Sequence, residues 1–381
     1  MLVLKRLFCN WEESDMVEMK TLGEVTTIIR GNRVTKADLV ENGEYPVISG
    51  GVNPLGYIDK TNREPNTITI AQYGTAGYIN IQRTKFWAND VCYSVYPKEG
   101  VHNEYLYYAL MNVQDYIYSL KTNAVPAHLP LASLQDVQIP IPSKSEQERI
   151  VSILDTFTSS ISNLKEQIKE RRKQYEYYRD QLLDLEGKDG VEMKTLGEIG
   201  EFIRGTGIQK ADFVEDGFPC IHYGQIHTKY GLSANSTLSN VNEALYHRSR
   251  KAEYGDVVLA TTSEDAECVA KPVAWLGKEK VAISGDAYIF HHKENGKYMA
   301  HLFSSHRFFL FKIKHATGAK VVRISGDNMA KFEFPLPSLQ EQLRIVTILD
   351  QFEASIANLE AQLKEREKQY EYYRNQLLTF E

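Results

Sequence analysis

The 381-residue chain is 43% hydrophobic and 25% charged, with 44 basic against 50 acidic side chains and a net charge of −6. That balance suits a globular protein with room for two cores and excludes a uniformly basic nucleic-acid-coating protein. No run approaches the roughly 18–20 apolar residues of a membrane span, and four scattered cysteines (Cys9, Cys92, Cys220, Cys268) give neither a disulfide framework nor zinc-ligand spacing, which points to a reduced, cytoplasmic setting.

Residues 1–16, MLVLKRLFCNWEESDM, begin with a short apolar run broken by Lys5 and Arg6 and then turn acidic, unlike a secretory signal. They read either as a start-site extension or as a short helix bracing the C-terminal end. A first domain is expected over residues 17–143. Its strand-like runs at 67–71 and 91–96 are rich in β-branched and aromatic residues, and a helix is expected at 103–113. Residues 144–186 follow as a long helix. Ser143 stands as its N-cap with Glu146 three residues on, the capping-box pattern. Apolar side chains then recur at Ile150, Leu154, Phe157, Ile161, Leu164, Ile168, Tyr175, Tyr178 and Leu182, a heptad broken only at Arg171. A sustained period of 3.5 marks a coiled-coil seam.

After a linker at 187–190 the chain starts again. Residues 191–217 repeat residues 17–43 at 17 of 27 positions, and residues 334–378 repeat 139–183 at 30 of 45. A second domain is therefore expected over 191–338, with strands at 256–261 and 288–291 and a helix at 297–311. A second long helix is expected over 339–381, capped by Ser338 with Glu341. Its seam is Ile345, Leu349, Phe352, Ile356, Leu359, Leu363, Tyr370, Tyr373 and Leu377, with Arg366 in the gap. The segments between the repeats differ in length and share almost no sequence.

Connectivity sets the geometry. One helix leaves the first domain and the other leaves the second, so pairing within the chain makes them antiparallel; two intermolecular coiled coils are the alternative. Rejoining the C-terminus to the N-terminus would recreate the linker, which makes the design pseudo-two-fold and nearly circular and brings the chain ends together. The class is α+β: two mixed α/β domains separated by two long helices.

Loops with small residues, beside side chains able to reach base edges or phosphates, supply the candidate contacts. In the first domain they are Arg30, Ser49, Asn53, Gln72, Tyr73, Thr75, Lys121 and Asn123. In the second they are Arg204, His222, Tyr223, Gln225, Thr262, Ser263, Lys320 and Arg323. Residues 17–143 carry 10 basic and 12 acidic groups and residues 191–338 carry 18 and 17, so any DNA face needs its positive charge gathered on one side or shared with partner subunits. Catalytic signatures are missing. There is no phosphate-binding G-x-x-x-x-G-K-[ST] loop, no Asp/Asn-Pro-Pro-aromatic tetrapeptide and no glycine-rich cofactor loop. Glu186-Gly187-Lys188 has nuclease-like spacing but lies in the linker, and His291-His292 reads as a strand end rather than a ligand pair.

The paired VEMKTLGE…IRG…KAD.VE.G segments, the paired P.PS..EQ.RIV.ILD…QYEYYR.QLL segments and the ITIAQYGTAGYI…FWANDVCYSVY pattern together resemble the specificity (S) subunit of type I restriction-modification systems, over essentially the whole chain. The resemblance implies two target recognition domains held apart by the helices, each reading one half of a bipartite, asymmetric double-stranded DNA target. It also implies two methyltransferase (M) subunits docked on the helices and, in a restricting system, restriction (R) subunits. S-adenosylmethionine, ATP and Mg would then sit on those partners, and this chain would bind no cofactor or metal and perform no catalysis. The charged stretches 169–173 and 364–368 offer docking surface. Two other readings stand beside it: a specificity subunit of another methylation or phage-exclusion complex, and a coiled-coil scaffold carrying two protein-binding modules.

Overall fold

The computed structural model describes residues 17–318 and 320–380, so the expectations for residues 1–16 and for the meeting of the chain ends lie outside the described residues. The chain divides into two compact units. One holds the described residues up to Lys165 together with those from Ala361, and the other is Glu166–Glu360.

Each domain opens and closes on the same short antiparallel ladder. Glu18–Thr21 pairs with Gln138–Ile141, Glu18 opposite Ile141, and Glu192–Thr195 pairs with Glu333–Leu336, Glu192 opposite Leu336. These four strands belong to the duplicated sequence, so each long helix leaves its domain directly after a strand bonded to that domain's first strand. Thr21 and Thr195 then cap a single helical turn, with Glu24 and Glu198 closing the capping box.

Between these ladders the first domain builds an antiparallel sheet in the order Thr26–Arg30, Cys92–Pro97, Thr67–Ala71, Ile79–Gln82. Every residue of Thr67–Ala71 is buried, as a continuous β-branched run covered on both faces should be. The second domain repeats the order with Gly200–Arg204, Ala287–His292, Val257–Ala260 and Lys271–Trp275, then adds Ser233–Ala234 in parallel. A three-stranded sheet built around Tyr45–Ile48 accompanies the first, and a further five-stranded sheet built around Phe218–Ile221 accompanies the second. The helix expected at 103–113 forms, and the one expected at 297–311 is split. Asn103–Asn112 is followed by Gln114–Ser119. The span read as one helix at 297–311 is Gly296–Phe303 and then His306–His315, because Ser305 accepts the Phe308 N–H at 3.2 Å and starts a new helix.

The long helices are Lys144–Leu183 and Leu339–Leu378, 40 residues each. In the first unit Phe157 stacks on Tyr373 at 5.2 Å and Lys165 pairs with Glu367 at 3.1 Å. In the second, Arg172 pairs with Glu360 at 2.5 Å and Tyr178 stacks on Phe352 at 5.4 Å. Partners fall along one helix as they rise along the other. The helices pair within one chain, antiparallel, and the intermolecular alternative drops out. The exposed ion pairs fix register more than they stabilise.

Burial along the seam is uneven. Ile150, Leu154, Ile345 and Leu349 are fully buried, and Phe157, Leu164, Ile168 and Leu377 nearly so. Ile161, Tyr175, Leu182, Phe352, Ile356, Leu359, Leu363, Tyr370 and Tyr373 are half-buried, while Tyr178 is exposed. A two-stranded seam leaves its flanks open, and it is sealed only where a domain packs on it: Tyr105 and Tyr108 join Ile150, Leu154 and Leu377, and Tyr298 and Met299 join Ile345 and Leu349. The heptad gap has a use, since the Arg366 guanidinium lies 5.6 Å from the centre of the Phe157 ring.

Two details depart from expectation. Ser143 and Ser338 do accept the N–H of Glu146 and Glu341, at 3.4 Å, but each Glu engages both carboxylate oxygens with an arginine one turn on, Arg149 or Arg344. Only half of each capping box forms. The tighter anchor is the next residue. Gln147 and Gln342 are buried, and each donates to the carbonyl of Pro142 or Pro337 at 2.9 Å. Each also accepts the N–H of the residue that begins a domain helix, His102 at 2.8 Å and Asn295 at 3.0 Å. One repeated glutamine therefore bolts each long helix to its domain. No helix among the described residues is long and apolar enough to cross a membrane.

Candidate nucleic-acid interface

In the first domain the buried strand Thr67–Ala71 runs into the loop QYGTAG, which meets the loop SGG backbone to backbone. The Gly50 carbonyl accepts from both the N–H and the hydroxyl of Thr75, at 2.8 and 2.7 Å. A Cβ on Gly50 would lie 2.4 Å from the Tyr73 carbonyl oxygen, and one on Gly74, whose φ is +72°, would lie 2.5 Å from the Gly50 oxygen. Only glycine permits this approach. Asn89 donates to Ser49 Oγ at 3.3 Å and grips residue 34 through both N–H and carbonyl, while the Arg30 Nε donates to the Asp90 carbonyl at 2.9 Å. His128 stacks on Tyr73 at 5.3 Å and hydrogen-bonds the Thr122 hydroxyl at 3.0 Å, tying the 121–128 loop to the same cluster.

The structure thus gathers Arg30, Ser49, Tyr73 and Thr75 and places Lys121 and Asn123, both exposed, on a loop docked against them. Gln72 belongs to the cluster but is buried, with its Oε1 unpartnered among the described residues. Asn53 stands exposed and outside it. A cleft of about 80 Å³ beside Ser49 is lined further by Thr69, Asn80, Gln82 and Cys92, whose thiol burial pushes up to about 12. That thiol stays protonated and unreactive at neutral pH.

In the second domain Thr262–Ser263 pairs with Val322–Arg323, Thr262 opposite Arg323, which brings three candidates together. Arg204 joins them, its Nε donating to the Gly285 carbonyl at 2.9 Å. Arg204, Thr262 and Arg323 border a cleft of about 210 Å³ that also takes in Asp286, Tyr288, Ser325 and Asn328. Lys320 is exposed in the turn between Thr317 and Arg323, which bond each other across it at 2.8 Å. His222, Tyr223 and Gln225 form a capped helix start instead of a free loop. His222 is buried, and burial, followed by the nearby Lys210 charge, lowers its pKa, so the neutral ring accepts the Gly224 N–H at 3.1 Å. Gln225 donates to Ser239 at 2.7 Å, and the Tyr223 N–H donates to Ser284 Oγ at 2.8 Å.

Beneath unlike side chains the two domains share one backbone frame. Gln72 N–H donates to Val91 O at 2.8 Å, and Thr261 N–H donates to Asp286 O at 3.0 Å. Leu129 N–H donates to Gln72 O at 2.9 Å, and Ile324 N–H donates to Thr261 O at 3.3 Å. Asn89 N–H donates to Ile48 O at 2.9 Å, and Ser284 N–H donates to Ile221 O at 3.1 Å. Reading the sequence alone missed the centre of this frame, residues 89–91 and 284–286, as well as His128. The signal was present: both triplets immediately precede the strand that pairs with the Arg30 or Arg204 strand, and aligning the variable segments by that strand exposes them. No cluster of His, Cys, Asp and Glu among the described residues could hold a metal ion.

Comparison with known proteins follows this geometry. The chain matches the type I restriction modification DNA specificity domain family over residues 14–171 and 188–368. It is 31% identical to a putative type I restriction enzyme specificity subunit of Haemophilus influenzae, covering 97% of both chains. It is 34% identical to the EcoR124I/EcoR124II specificity subunit of Escherichia coli over 65% of this chain and 64% of that one. The crystal structure of the type I restriction-modification S subunit of M. genitalium superposes with a TM-score of 0.63 at 18% identity, covering 98% of both chains, a likeness of fold.

Proposed function

The chain belongs to the type I restriction-modification DNA specificity family and supplies sequence specificity within such a system; from that premise we propose a division of labour between its loops and its helices. The loop clusters around Arg30, Ser49, Tyr73 and Thr75 and around Arg204, Thr262 and Arg323 each read one half of a split DNA target. The observation that carries this reading is the shared hydrogen-bonded frame bearing different side chains, since two equivalent mounts with unlike surfaces suit two unlike half-sites. Each long helix begins in one unit and ends in the other, so helix length, not loop chemistry, sets the number of unread base pairs between the half-sites.

The near-neutral charge of both domains supports shared phosphate contacts, with methyltransferase subunits supplying the remaining positive surface. Those subunits, and restriction subunits where present, are the holders of S-adenosylmethionine, ATP and Mg and of the catalytic activities. The exposed charged residues Lys169, Glu170, Lys173, Lys364, Glu365 and Lys368 offer them helical surface. The scaffold reading has only the near-neutral charge of the domains in its favour and leaves the shared frame with unlike side chains unexplained. Co-expression with the partner methyltransferase and mapping of methylated positions across host DNA tests the proposal. A split, asymmetric motif that vanishes when this chain is deleted is the expected result; an unchanged methylation pattern after deletion overturns it.

A further inference from the structure

The position that differs most in chemistry between the two frames is the residue whose carbonyl receives the strand-end N–H. In the first domain it is Val91, which accepts from Gln72; in the second it is Asp286, which accepts from Thr261. Both are half-buried. Asp286 is the single carboxylate lining the second domain's cleft, where Arg204 and Arg323 stand with Thr261, Thr262, Ser325 and Asn328. Its Oδ1 accepts the Thr262 hydroxyl at 3.2 Å, and no donor on the described residues reaches its other oxygen.

We infer that Asp286 is a specificity-determining residue, reading the exocyclic amino group of a cytosine in the half-site of the second domain. The inference rests on the DNA-reading function proposed above. A carboxylate that only accepts hydrogen bonds also repels backbone phosphates, so among major-groove groups it fits the amino donor of C, whereas A sets its N7 acceptor beside the amino group and suits an amide. Arg204 and Arg323 line the same cleft and can take phosphates or a guanine edge. Thr262 holds the carboxylate by one oxygen and leaves the other for a base. Val91, at the same place in the other frame, offers no acceptor and matches a contact with a thymine methyl or none, which is what two readers of different half-sites require.

The test uses the full chain assembled with its methyltransferase subunits and a set of duplexes altered one base pair at a time. Asp286→Asn keeps the size, the backbone bonds and an acceptor for Thr262. It is expected to reduce discrimination by roughly 5- to 150-fold at one C-bearing position of the second half-site, leaving every position of the first unchanged. Asp286→Ser, which removes the paired oxygens, should relax the same position. An unaltered motif in both variants overturns the inference, and so does a uniform loss across all positions, which would make Asp286 a structural support. If the wild-type complex shows no motif dependent on this chain, the DNA-reading function itself has failed, and that outcome is seen before any substitution is made.

Discussion

The two recognition domains close the same loop junction by different means. In the first, Gly50 and Gly74 let two backbones touch, and His128 lays its ring on Tyr73. In the second, the pairing that joins Tyr73 to His128 in the first lengthens into a strand pair, Thr262–Ser263 with Val322–Arg323, and the His227 ring donates to the Thr262 carbonyl at 2.9 Å. The sheet order and the crossing hydrogen bonds are nonetheless the same in both. A fold duplicated in this way keeps what the backbone supplies and varies what the side chains supply, so specificity can drift without disturbing the mount.

The largest test of this contrast is Gly74→Val. A β-branched side chain at φ +72°, with its Cβ 2.5 Å from the Gly50 oxygen, should cost about 3 kcal/mol. Hydrogen exchange is expected to show lost protection within residues 17–143 while residues 191–338 keep theirs. Equal loss in both regions would deny the domains their separate closures. A smaller effect tests the shared part. Gln147→Leu and Gln342→Leu each strand a buried N–H and a buried carbonyl, at about 1–3 kcal/mol. Denaturant unfolding should return similar losses for the two, and clearly unequal values would show that the bolt is not equivalent in the two copies.

The smallest effect concerns pH and belongs to the second domain. Burial, reinforced by the Lys297 and Arg179 charges, pushes His301 down to about 3; burial with the His291 charge pushes His292 down to about 4. Both rings act as neutral groups in the fold: His301 shares a hydrogen bond with the Tyr175 hydroxyl at 3.0 Å, and His292 accepts the Glu294 N–H at 3.1 Å. The unfolded chain binds protons on them below about pH 6.5 and the folded chain does not, so stability holds above that pH and falls as pH drops toward 4. At pH 5.5 the loss is roughly 1 kcal/mol per histidine. The fluorescence-monitored unfolding midpoint should fall between pH 7 and 5.5, and His301→Gln should flatten the fall. A profile unchanged by that substitution would remove His301 from the account.

Much of the architecture could be read directly from the chain. Two copies of a 45-residue block with the heptad spacing of Ile150 to Leu182 and Ile345 to Leu377 determine two long helices, and the connectivity determines that they run antiparallel. The buried strand at 67–71 and the loop glycines at 50 and 74 were legible because β-branched runs and close backbone approach each demand particular residue types. Periodicity is a local property, and so is turn chemistry.

Tertiary structure decided the rest. Even within one helix turn the residue types left two outcomes open, since Glu146 and Glu341 fit a capping box yet each pairs with the arginine three residues on. His222 and Gln225 have the chemistry of base readers and cap a helix instead, while Asp286, unremarkable in the sequence, comes to line a cleft with Arg204 and Arg323. Whether a polar side chain is available to a ligand depends on burial and on hydrogen-bond partners brought from distant parts of the chain, such as Asn89 to Ser49 or Asp286 to Thr262. Those pairings cross 40 and 24 residues of variable sequence, and no local pattern encodes them.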